Sequence, residues 1–299
     1  MELRKERKRV NKHKLICTDW LDGIQVAGDD YYAVAFADPP DNIGVKYDGY
    51  DDNLPAKEYF SLLSKWVRKL VEVAGITWFS YNAKWAAEVG TIVNFLVHST
   101  PGLEKRHMVQ TYTFYQHNQH DLGNGHRPIW RLRWRDAPLY PNQIRVESER
   151  QKSGDKRADP RGKVPSDCFD FPRVTGNSRQ RRSWSPTQLH EGLIERCVKL
   201  STKEGDRVLD PFGGTGSILR VCRRINRVST TFEISPAYSK LIANDNAMAA
   251  VDIISPSTFL RCRTCRAKMV KLHESYVSCV EGCNKVIPLQ DQTSCYVLD

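Results

Sequence analysis

One stretch, Val208-Leu209-Asp210-Pro211-Phe212-Gly213-Gly214-Thr215-Gly216-Ser217, runs from an apolar strand through a glycine turn into a helix. Glycines in such a turn permit positive φ angles and a close approach of the backbone to a ligand, and the helix N-terminus offers free N–H groups. Glu233 lies 23 residues after Asp210, at the end of the next predicted strand. In nucleotide-binding α/β folds, an acidic residue about 20 positions beyond the turn binds the ribose hydroxyls. The stretch therefore predicts a strand–turn–helix unit that holds a nucleotide-like cofactor.

The spacing of the glycines indicates which class of cofactor the turn binds. Phe212, Gly214 and Gly216 form the pattern Phe-x-Gly-x-Gly. This differs from the Gly-x-Gly-x-x-Gly pattern of dinucleotide-binding proteins, so a nicotinamide cofactor is not expected.

The rest of the chain alternates strands and helices around this unit. Apolar residues recur at helical spacing in 57–73, and short apolar runs such as 33–37 end in turn residues. The predicted strands are 14–18, 33–37, 76–81, 109–115, 128–134, 207–209 and 228–232, and the predicted helices are 57–73, 84–97, 187–202, 215–224 and 236–248. Strand and helix alternating with short links predict an α/β fold, a Rossmann-like and mostly parallel sheet with helices on both faces.

A second motif, Asp38-Pro39-Pro40-Asp41, ends the apolar run 33–37. The two prolines fix the backbone and remove two donors, so the carbonyls and the Asp38 carboxylate are left as rigid acceptors. A rigid cluster of acceptors is suited to grip an amino group. The motif therefore predicts an amine-binding site beside the cofactor.

The formal charge of +10 is concentrated in two segments. Residues 1–14 hold seven Lys and Arg against two Glu, and residues 101–182 hold 17 Lys and Arg against 9 Asp and Glu. Such segments are typical of proteins that bind a polyanion, because each neutralised phosphate releases counterions. For residues 1–14 an ordinary solvated face is an equal alternative.

The middle basic segment interleaves arginines with aromatic residues: Arg127, Arg131, Arg133 and Arg135 with Trp130 and Trp134. Arginine together with tryptophan suits phosphate contact and base stacking, so the four arginines are predicted to bind nucleic acid. The alternative for the tryptophans is core packing on alternating strand positions. Residues 136–164 are polar and rich in Pro and Gly, which predicts a long functional loop.

Nine cysteines divide into two groups. Four are predicted to be reduced core residues: Cys17, Cys168, Cys197 and Cys222. The tail contains Cys262-x2-Cys265 and Cys279-x3-Cys283, with 13 residues between the pairs. This spacing fits two knuckles of a tetrahedral, structural zinc site closed by four thiolates, as in a zinc ribbon. The alternative is a set of incidental reduced cysteines, and Cys295 is a spare.

These motifs together resemble the amino-group DNA methyltransferases that use S-adenosylmethionine, in the arrangement in which the catalytic motif precedes the cofactor motif. The resemblance rests on Asp38-Pro39-Pro40 with Asn42, the strand 77–81, Pro186-Thr187-Gln188 and the stretch 205–216. It covers residues 15–100 and 165–248, and the basic segment between them falls where this family keeps its target-recognition region. A role in restriction–modification is what the resemblance implies.

The resemblance also implies roles for individual residues. Phe212, Gly214 and Gly216 would line the methionine and adenosine pocket, and Glu233 would hold the ribose hydroxyls. The complete set of implied cofactor residues is Asp19, Thr187, Gln188, Asp210, Phe212, Gly214, Gly216 and Glu233. The implied catalytic residues are Asp38, Pro39, Pro40 and Asp41. The implied reaction is methyl transfer to an exocyclic amine of a flipped-out base, with Asp38 and the Pro39 carbonyl accepting the amine hydrogens.

Asp41 departs from the family motif, which has an aromatic residue at this fourth position. The residue that stacks on the base would then be Tyr47, Tyr50 or Trp184, or activity is impaired. Asp38 at the first position favours adenine N6 over cytosine N4. Two alternatives remain: a catalytically impaired DNA-binding protein of the same fold, and a methyltransferase that acts on RNA or on a protein amide.

The chain is predicted to have four parts: a basic tail (1–14), a methyltransferase domain (15–248) with target recognition in 101–182, a linker (249–261) and a cysteine-rich, zinc-binding tail (262–299). No apolar run approaches the roughly 20 residues of a membrane helix, and 1–14 lack the apolar stretch of a signal peptide. We expect a cytoplasmic, DNA-associated protein whose partner is double-stranded DNA and not a membrane. The oligomeric state is left open, with a homodimer as one alternative.

Overall fold

The computed structural model describes residues 13–24, 31–112 and 119–246, together with the backbone of short strands between 253 and 297. Most of the predicted basic tail lies outside these residues. In chain order the elements of the main domain are β1 (Lys14–Cys17), α1 (Trp20–Gly23), β2 (Tyr32–Ala37), β3 (Lys46–Tyr47), β4 (Tyr50–Asp51), α2 (Ala56–Val73), β5 (Ala74–Ser80), α3 (Ala86–His98), β6 (Leu103–Thr111), β7 (His126–Trp134), α4 (Glu149–Lys152), β8 (Cys168–Asp170), α5 (Glu191–Ser201), β9 (Arg207–Asp210), α6 (Ser217–Arg224), β10 (Val228–Glu233), α7 (Pro236–Asp245) and β11 (Ile253–Ile254).

Nine of these strands form one sheet in the order β11-β1-β10-β9-β2-β5-β7-β6-β8. The strands from β11 to β5 run parallel to one another, whereas β7 is antiparallel to both β5 and β6. The predicted α/β fold with a mostly parallel sheet is therefore confirmed. Strand β11 pairs with β1, so the predicted linker 249–261 contributes an edge strand to this sheet.

Both faces of the sheet are covered by helices because the central strands are apolar on both sides. In β2, Val34 and Phe36 pack into the core under α5 and α6, while Ala35 and Ala37 pack into the core under α2 and α3. Successive side chains of a strand point to opposite faces, so a continuous apolar run is what a doubly covered strand requires. Strand β2 thus delivers the Asp-Pro-Pro-Asp motif from a fixed position at the centre of the sheet.

The parallel strands β2 and β9 end side by side, and each leads into one of the two motifs. Ligands of open α/β sheets bind outside the carboxyl ends of the strands. The predicted helix 187–202 begins only at Glu191, where the His190 side chain caps the first turn by accepting a hydrogen bond from the Gly192 N–H. The residues before it are extended and reach the same edge, which brings Ser185 and Thr187 to the cleft described below.

The predicted functional loop 136–164 lies at the opposite end of the parallel strands from the two motifs. The Tyr140 N–H donates to the Leu200 carbonyl at 2.7 Å, and the Gln143 side chain donates to the Thr202 carbonyl at 2.8 Å. Leu200 and Thr202 stand at the C-terminal end of α5, which leads into the start of β9. The loop is therefore docked at the amino ends of the parallel strands, away from both motifs.

Strand β7 packs its tryptophans into the core. Trp130 and Trp134 lie against the apolar cluster under α2 and α3, and the Trp134 indole N–H donates to the Val71 carbonyl at 2.7 Å. The core-packing alternative for both residues therefore agrees with the structure. Of the four predicted core cysteines, Cys168 is the exposed one, because it lies on the edge strand β8.

The tail forms a separate five-stranded sheet in the order β15-β14-β13-β12-β16. Its strands are β12 (Leu260–Cys262), β13 (Lys268–His273), β14 (Tyr276–Cys279), β15 (Val286–Pro288) and β16 (Cys295–Val297), and every pair of neighbours is antiparallel. Cys265 and Cys283 lie outside the described residues. Among the helices that the structure describes, none is long and apolar enough to cross a bilayer.

Candidate active site

A cleft of about 950 Å³, counting the space open to solvent, lies at the carboxyl ends of β2, β9 and β10. It lies between the two motifs that the sequence singles out. Its walls include Asp38 and Pro40 from the first motif, Phe212 and Gly214 from the second, and Glu233 at the end of β10. The predicted amine site and the predicted cofactor site are therefore two ends of one cleft.

The Asp-Pro-Pro-Asp turn is held in shape by a residue that the sequence analysis did not identify. The buried Asp52 carboxylate accepts hydrogen bonds from the backbone N–H groups of Asn42 at 2.7 Å, Ile43 at 3.1 Å and Val45 at 2.9 Å. Asn42 has a φ of 52°, a left-handed conformation that asparagine tolerates better than most residues. Its side chain closes the loop by exchanging two hydrogen bonds with the Leu54 backbone.

Within this turn, Asp38 presents one free carboxylate oxygen. Its Oδ1 accepts from the Ser80 hydroxyl at 2.7 Å and from the Arg127 guanidinium at 2.7 Å. Its Oδ2 has no hydrogen-bond partner among the described residues, and Asp38 lines the cleft. The Pro40 carbonyl accepts from the Tyr59 hydroxyl, while that of Pro39 has no partner in the described part of the chain. Two acceptors of the turn therefore lack a partner among the described residues, and one of them, Asp38 Oδ2, belongs to a side chain that lines the cleft.

The fourth residue of the turn, Asp41, is 7% exposed, and its carboxylate forms an ion pair with Arg127. Arg127 Nη1 donates to Asp41 Oδ2 at 2.7 Å, and Arg127 Nη2 donates to Asp41 Oδ1 at 3.0 Å. Burial alone would lower the pKa of Arg127, but the carboxylates of Asp38 and Asp41 raise it well above its ordinary value. The guanidinium is therefore a permanent cation between two carboxylates.

The glycine turn wraps around the Glu233 side chain. Glu233 Oε2 accepts from the Gly214 N–H at 2.7 Å, and Oε1 accepts from the Ser235 N–H at 2.8 Å. Gly214 and Gly216 have φ angles of 52° and 72°, where a side chain would be strained. Both carboxylate oxygens are thereby fixed at the wall of the cleft, each with a second lone pair left for a ligand.

Burial raises the pKa of two acids near the glycine turn, one of which lines the cleft. Burial raises the pKa of Glu233 to about 7, and the nearby Asp48 carboxylate adds to the rise. Burial likewise raises the pKa of Asp210 to about 8. Asp210 ends β9 behind the glycine turn and does not line the cleft. Perturbed carboxyl groups in a cleft are typical of functional sites.

Aromatic rings form part of the cleft wall. The Phe212 ring packs edge-on against Trp66 with centroids 4.9 Å apart and against Trp20 with centroids 6.3 Å apart. Tyr50 packs against the other side of Trp66, with centroids 6.5 Å apart. All four residues line the cleft. These rings give the cleft an aromatic, apolar lining, which suits a planar heterocycle attached to a sugar.

The charges along the cleft all have one sign. Four carboxyl-bearing residues line it, Asp19, Asp38, Asp48 and Glu233, whereas no Lys, Arg or His does so within the described residues. The chain as a whole carries a formal charge of +10, so the acidic cleft is a local feature. A low-dielectric cleft with this lining attracts cations. The residues present therefore fit S-adenosylmethionine, whose sulfonium and ammonium groups are both positive.

Most of the residues predicted at the site share this cleft. The predicted residues along its wall are Asp19, Asp38, Pro40, Thr187, Gln188, Phe212, Gly214 and Glu233. Pro39, Asp41, Asp210 and Gly216 lie behind it. The Gln188 side chain faces away, because it accepts from the Arg182 N–H and donates to the Gln180 carbonyl.

The four predicted nucleic-acid arginines are not brought together as one surface. Arg127 lies in the ion pair with Asp41, and Arg131 lies over the Trp78 ring at 5.8 Å. Arg133 pairs with Glu104 at 2.7 Å, and Arg135 is the exposed member of the set. Strand β7 runs antiparallel to β5, so it carries Arg133 and Arg135 away from the catalytic turn. Their contact with nucleic acid therefore stays a prediction.

Comparison with known proteins gives the family. The sequence profile of the N6/N4 methyltransferase family, described as DNA methylase, matches residues 32–244. The chain is 26% identical over 241 residues to the type II methyltransferase M.HpaI of Haemophilus parainfluenzae, covering 76% of this chain and 72% of that protein. It is 28% identical over 249 residues to M.BglII of Bacillus subtilis, covering 76% of this chain and 66% of that protein.

Solved structures share the fold. The cytosine-N4-specific PvuII DNA methyltransferase superposes with a TM-score of 0.55 at 14% identity, over 78% of this chain and 85% of that one. The complex of M1.HpyAVI with S-adenosylmethionine gives a TM-score of 0.52 at 14% identity, over 78% of this chain and 98% of that one. Together with the profile match, this establishes that the chain belongs to the amino-group (N6/N4) DNA methyltransferase family. The family resemblance inferred from the two motifs is confirmed.

Proposed function

We propose that the protein is a site-specific DNA methyltransferase that transfers a methyl group from S-adenosylmethionine to an exocyclic amine of a flipped-out base. One observation carries the proposal: Asp38, whose Oδ2 has no partner among the described residues, lines a cleft that contains four carboxyl-bearing residues and, within the described residues, no Lys, Arg or His. When bound, the cofactor supplies an electrophilic methyl group on a sulfonium. Asp19, Thr187, Gly214 and Glu233 would hold it.

The exocyclic amine of a base is a poor nucleophile, because its lone pair is delocalised into the ring. Asp38 Oδ2 and the Pro39 carbonyl would accept the two amine hydrogens and favour a pyramidal nitrogen whose lone pair faces the methyl group. The work of the site is then positioning and electrostatics, with no covalent bond between protein and base. The nitrogen–carbon bond would form as the carbon–sulfur bond breaks, with the electron pair of that bond left on sulfur. The surplus proton of the amine would pass to Asp38 Oδ2 and from there to solvent.

Tyr47 is the best candidate for the ring that stacks on the base. It lines the cleft, and its hydroxyl lies 3.2 Å from Thr187 Oγ1. The negative charges of Asp38 and Asp41 add to the burial that raises its pKa, which places the phenol near the catalytic turn. Tyr50 packs on Trp66 instead, and the Trp184 indole N–H points to the Gly214 carbonyl at 3.3 Å. Adenine N6 is the proposed acceptor because the first residue of the motif is Asp38.

The activity is tested with the full chain, double-stranded DNA and tritiated S-adenosylmethionine. Digestion of the product to nucleosides should give label in N6-methyldeoxyadenosine, and mapping of labelled fragments should give one short sequence. Label in N4-methyldeoxycytidine would correct the base. RNA that competes as acceptor would favour the RNA alternative. Cofactor binding without transfer to any DNA would overturn the proposal and support the catalytically impaired DNA-binding protein.

Cofactor affinity should depend on pH through Glu233. Its folded pKa of about 7 means that the carboxyl is protonated below that pH, whereas ribose hydroxyls bind best to the carboxylate. The affinity should therefore fall by about tenfold from pH 8 to pH 6. Calorimetric titration at both pH values measures this. Glu233→Gln should bind more weakly and lose the dependence; the same dependence in that variant would show that another group titrates.

DNA would approach from the cleft edge of the sheet. Arg173 is exposed and lies over the Tyr112 ring at 5.4 Å, and Tyr112 in turn lies within electrostatic reach of Asp38. Arg181 reaches toward the Pro186 carbonyl, next to the cleft residue Thr187. Both belong to the predicted target-recognition region 101–182. We therefore propose that its part near the cleft, and not the docked loop 136–164, contacts phosphates.

The cysteine-rich tail is proposed to hold one structural zinc ion. Leu260 pairs with Met269 and Met269 with Cys279, so the strand ends at Cys262 and Cys279 lie at the same end of the sheet. This is the arrangement that two zinc knuckles need. The register also sets Cys295 opposite Cys262, so the spare cysteine lies at this end as well.

Metal analysis of protein purified without chelator should find about one zinc per chain. Cys279→Ser should lose the metal and unfold the tail, because a segment this short depends on its ion. Cys295→Ser is the matched control and should keep it. Zinc-free wild-type protein would refute the site, and loss of zinc in Cys295→Ser would change the ligand set.

A further inference from the structure

The acid at the fourth position of the catalytic turn offers no surface to a base. The turn touches the cleft through Asp38 and Pro40, whereas Asp41 is 7% exposed and lies behind them. Both of its carboxylate oxygens accept from Arg127. An exposed acid at this position would be solvated, but this one is part of the packed structure. The Asp41 carboxylate can therefore affect the site only through its contact with Arg127.

Arg127 connects three residues of the site through one guanidinium. It reaches across from β7 and donates to both oxygens of Asp41, to Oδ1 of Asp38 at 2.7 Å and, through Nε, to the Ser80 hydroxyl. Ser80 ends β5 and itself donates to the same Oδ1 of Asp38. Asp38 is thus held from one side by two donors, and its carboxylate plane is fixed.

Arg127 shares its hydrogen bonds between Asp38 and Asp41, and this sharing decides how many oxygens of Asp38 are occupied. The two terminal N–H groups of an arginine, here called the arginine fork, bind a carboxylate most strongly through two parallel N–H···O bonds. In this structure Asp41 occupies that bidentate position. Asp38 receives a single bond, so Oδ2 keeps its lone pairs for the cleft. With two carboxylates and one guanidinium, the group carries a net charge of −1. Without Asp41 the fork would be free to engage both oxygens of Asp38, and the group would be neutral.

We propose that Asp41 and Arg127 are positioning residues for methyl transfer: Arg127 orients Asp38, and Asp41 holds the arginine fork so that Asp38 Oδ2 stays available to the amine. The inference rests on the proposed function, because it assigns Asp38 as the amine acceptor. It explains how the chain uses a buried acid at a position where its family has an aromatic residue. The base then meets an aromatic ring from another part of the cleft.

The decisive experiment is a double-mutant cycle in single-turnover methyl transfer. Asp41→Asn should lower the rate by about 100-fold while the dissociation constants of cofactor and DNA change little, since the fork then captures Asp38. Adding Arg127→Met to that variant should recover part of the rate, because Ser80 still orients Asp38 and no fork competes for it. A merely structural ion pair would change the thermal stability and the rate together, so a loss and recovery of the rate at unchanged thermal stability and unchanged dissociation constants identifies the positioning role.

Glu104→Gln is the matched control, because it breaks an ion pair between Glu104 on β6 and Arg133 on β7, the strand that also carries Arg127, away from the cleft. It should change the thermal stability without changing the rate. Asp41→Asn at the wild-type rate, or a double variant slower than Asp41→Asn, would overturn the inference while wild-type transfer still upheld the proposed function. Wild-type protein that transfers no methyl group to DNA would overturn both.

Discussion

Asp38→Ala should lower the rate of methyl transfer to DNA by at least about 10³-fold, the cost of removing a main electrostatic contact at a reacting group. The variant lacks Asp38 Oδ2, the carboxylate oxygen of the turn that has no partner among the described residues and belongs to a side chain lining the cleft. The fold should survive, because Arg127 keeps its two hydrogen bonds to Asp41 and no buried charge is left uncompensated. Single-turnover transfer of tritium measures the rate.

Two further measurements separate chemistry from folding in this variant. The dissociation constant of S-adenosylmethionine should stay within about twofold of the wild-type value, since Glu233 and the glycine turn are untouched. Asp155→Ala changes an acid of the docked loop 136–164, where Asp155 pairs with Arg157, and should leave the rate unaltered. Transfer by Asp38→Ala at the wild-type rate would remove Asp38 from the mechanism.

Asp52→Ala should lower the free energy of unfolding by about 3 kcal/mol or more and abolish methyl transfer. The buried carboxylate accepts three backbone N–H groups, and hydrogen bonds to a charged group each contribute about 1.5–3 kcal/mol. Alanine leaves those donors unsatisfied and releases Asn42 from its left-handed conformation. Because Asn42 directly follows Asp41, the catalytic turn should lose its shape. Denaturant unfolding and the transfer assay measure the two effects.

Asp51→Ala provides the comparison for Asp52→Ala. Asp51 is the preceding residue, is exposed, and accepts one hydrogen bond from the Asn53 N–H at 3.1 Å. Its loss should cost a small fraction of the stability that Asp52 provides, and activity should persist. Equal effects from the two substitutions would show that the Asp52 network does not hold the turn.

The sequence analysis was most successful where chemistry and periodicity point to the same structure. The apolar run before Asp38 and the glycine turn after Asp210 each follow a strand, and parallel strands end at a common edge. From these two facts, the proximity of the catalytic and cofactor motifs could be predicted. Glu233 could be found as well, because it ends the first strand after the turn and its helix, 23 residues after Asp210.

Prediction was weaker for contacts between residues far apart in the chain. Arg127 and Asp41 are 86 positions apart, and nothing local to either residue indicates an ion pair. The same holds for Trp130 and Trp134, whose alternation along β7 fits both a base-stacking surface and a core strand. The position of the loop 136–164 could not be predicted either, because its polar composition does not reveal the end of the strands at which it docks.

Local pattern by itself determined the strand–turn–helix unit around Gly213, the acceptor turn at Asp38 and the family to which the chain belongs, since each depends on residues that are close in sequence. Tertiary structure alone decided what the fourth residue of the turn does. In the sequence, Asp41 is only a departure from the family motif. In the folded chain, β7 pairs with β5, and this pairing brings Arg127 into an ion pair with Asp41. Burial and pairing of charges are properties of the packed chain, because they arise only when distant segments exclude water together.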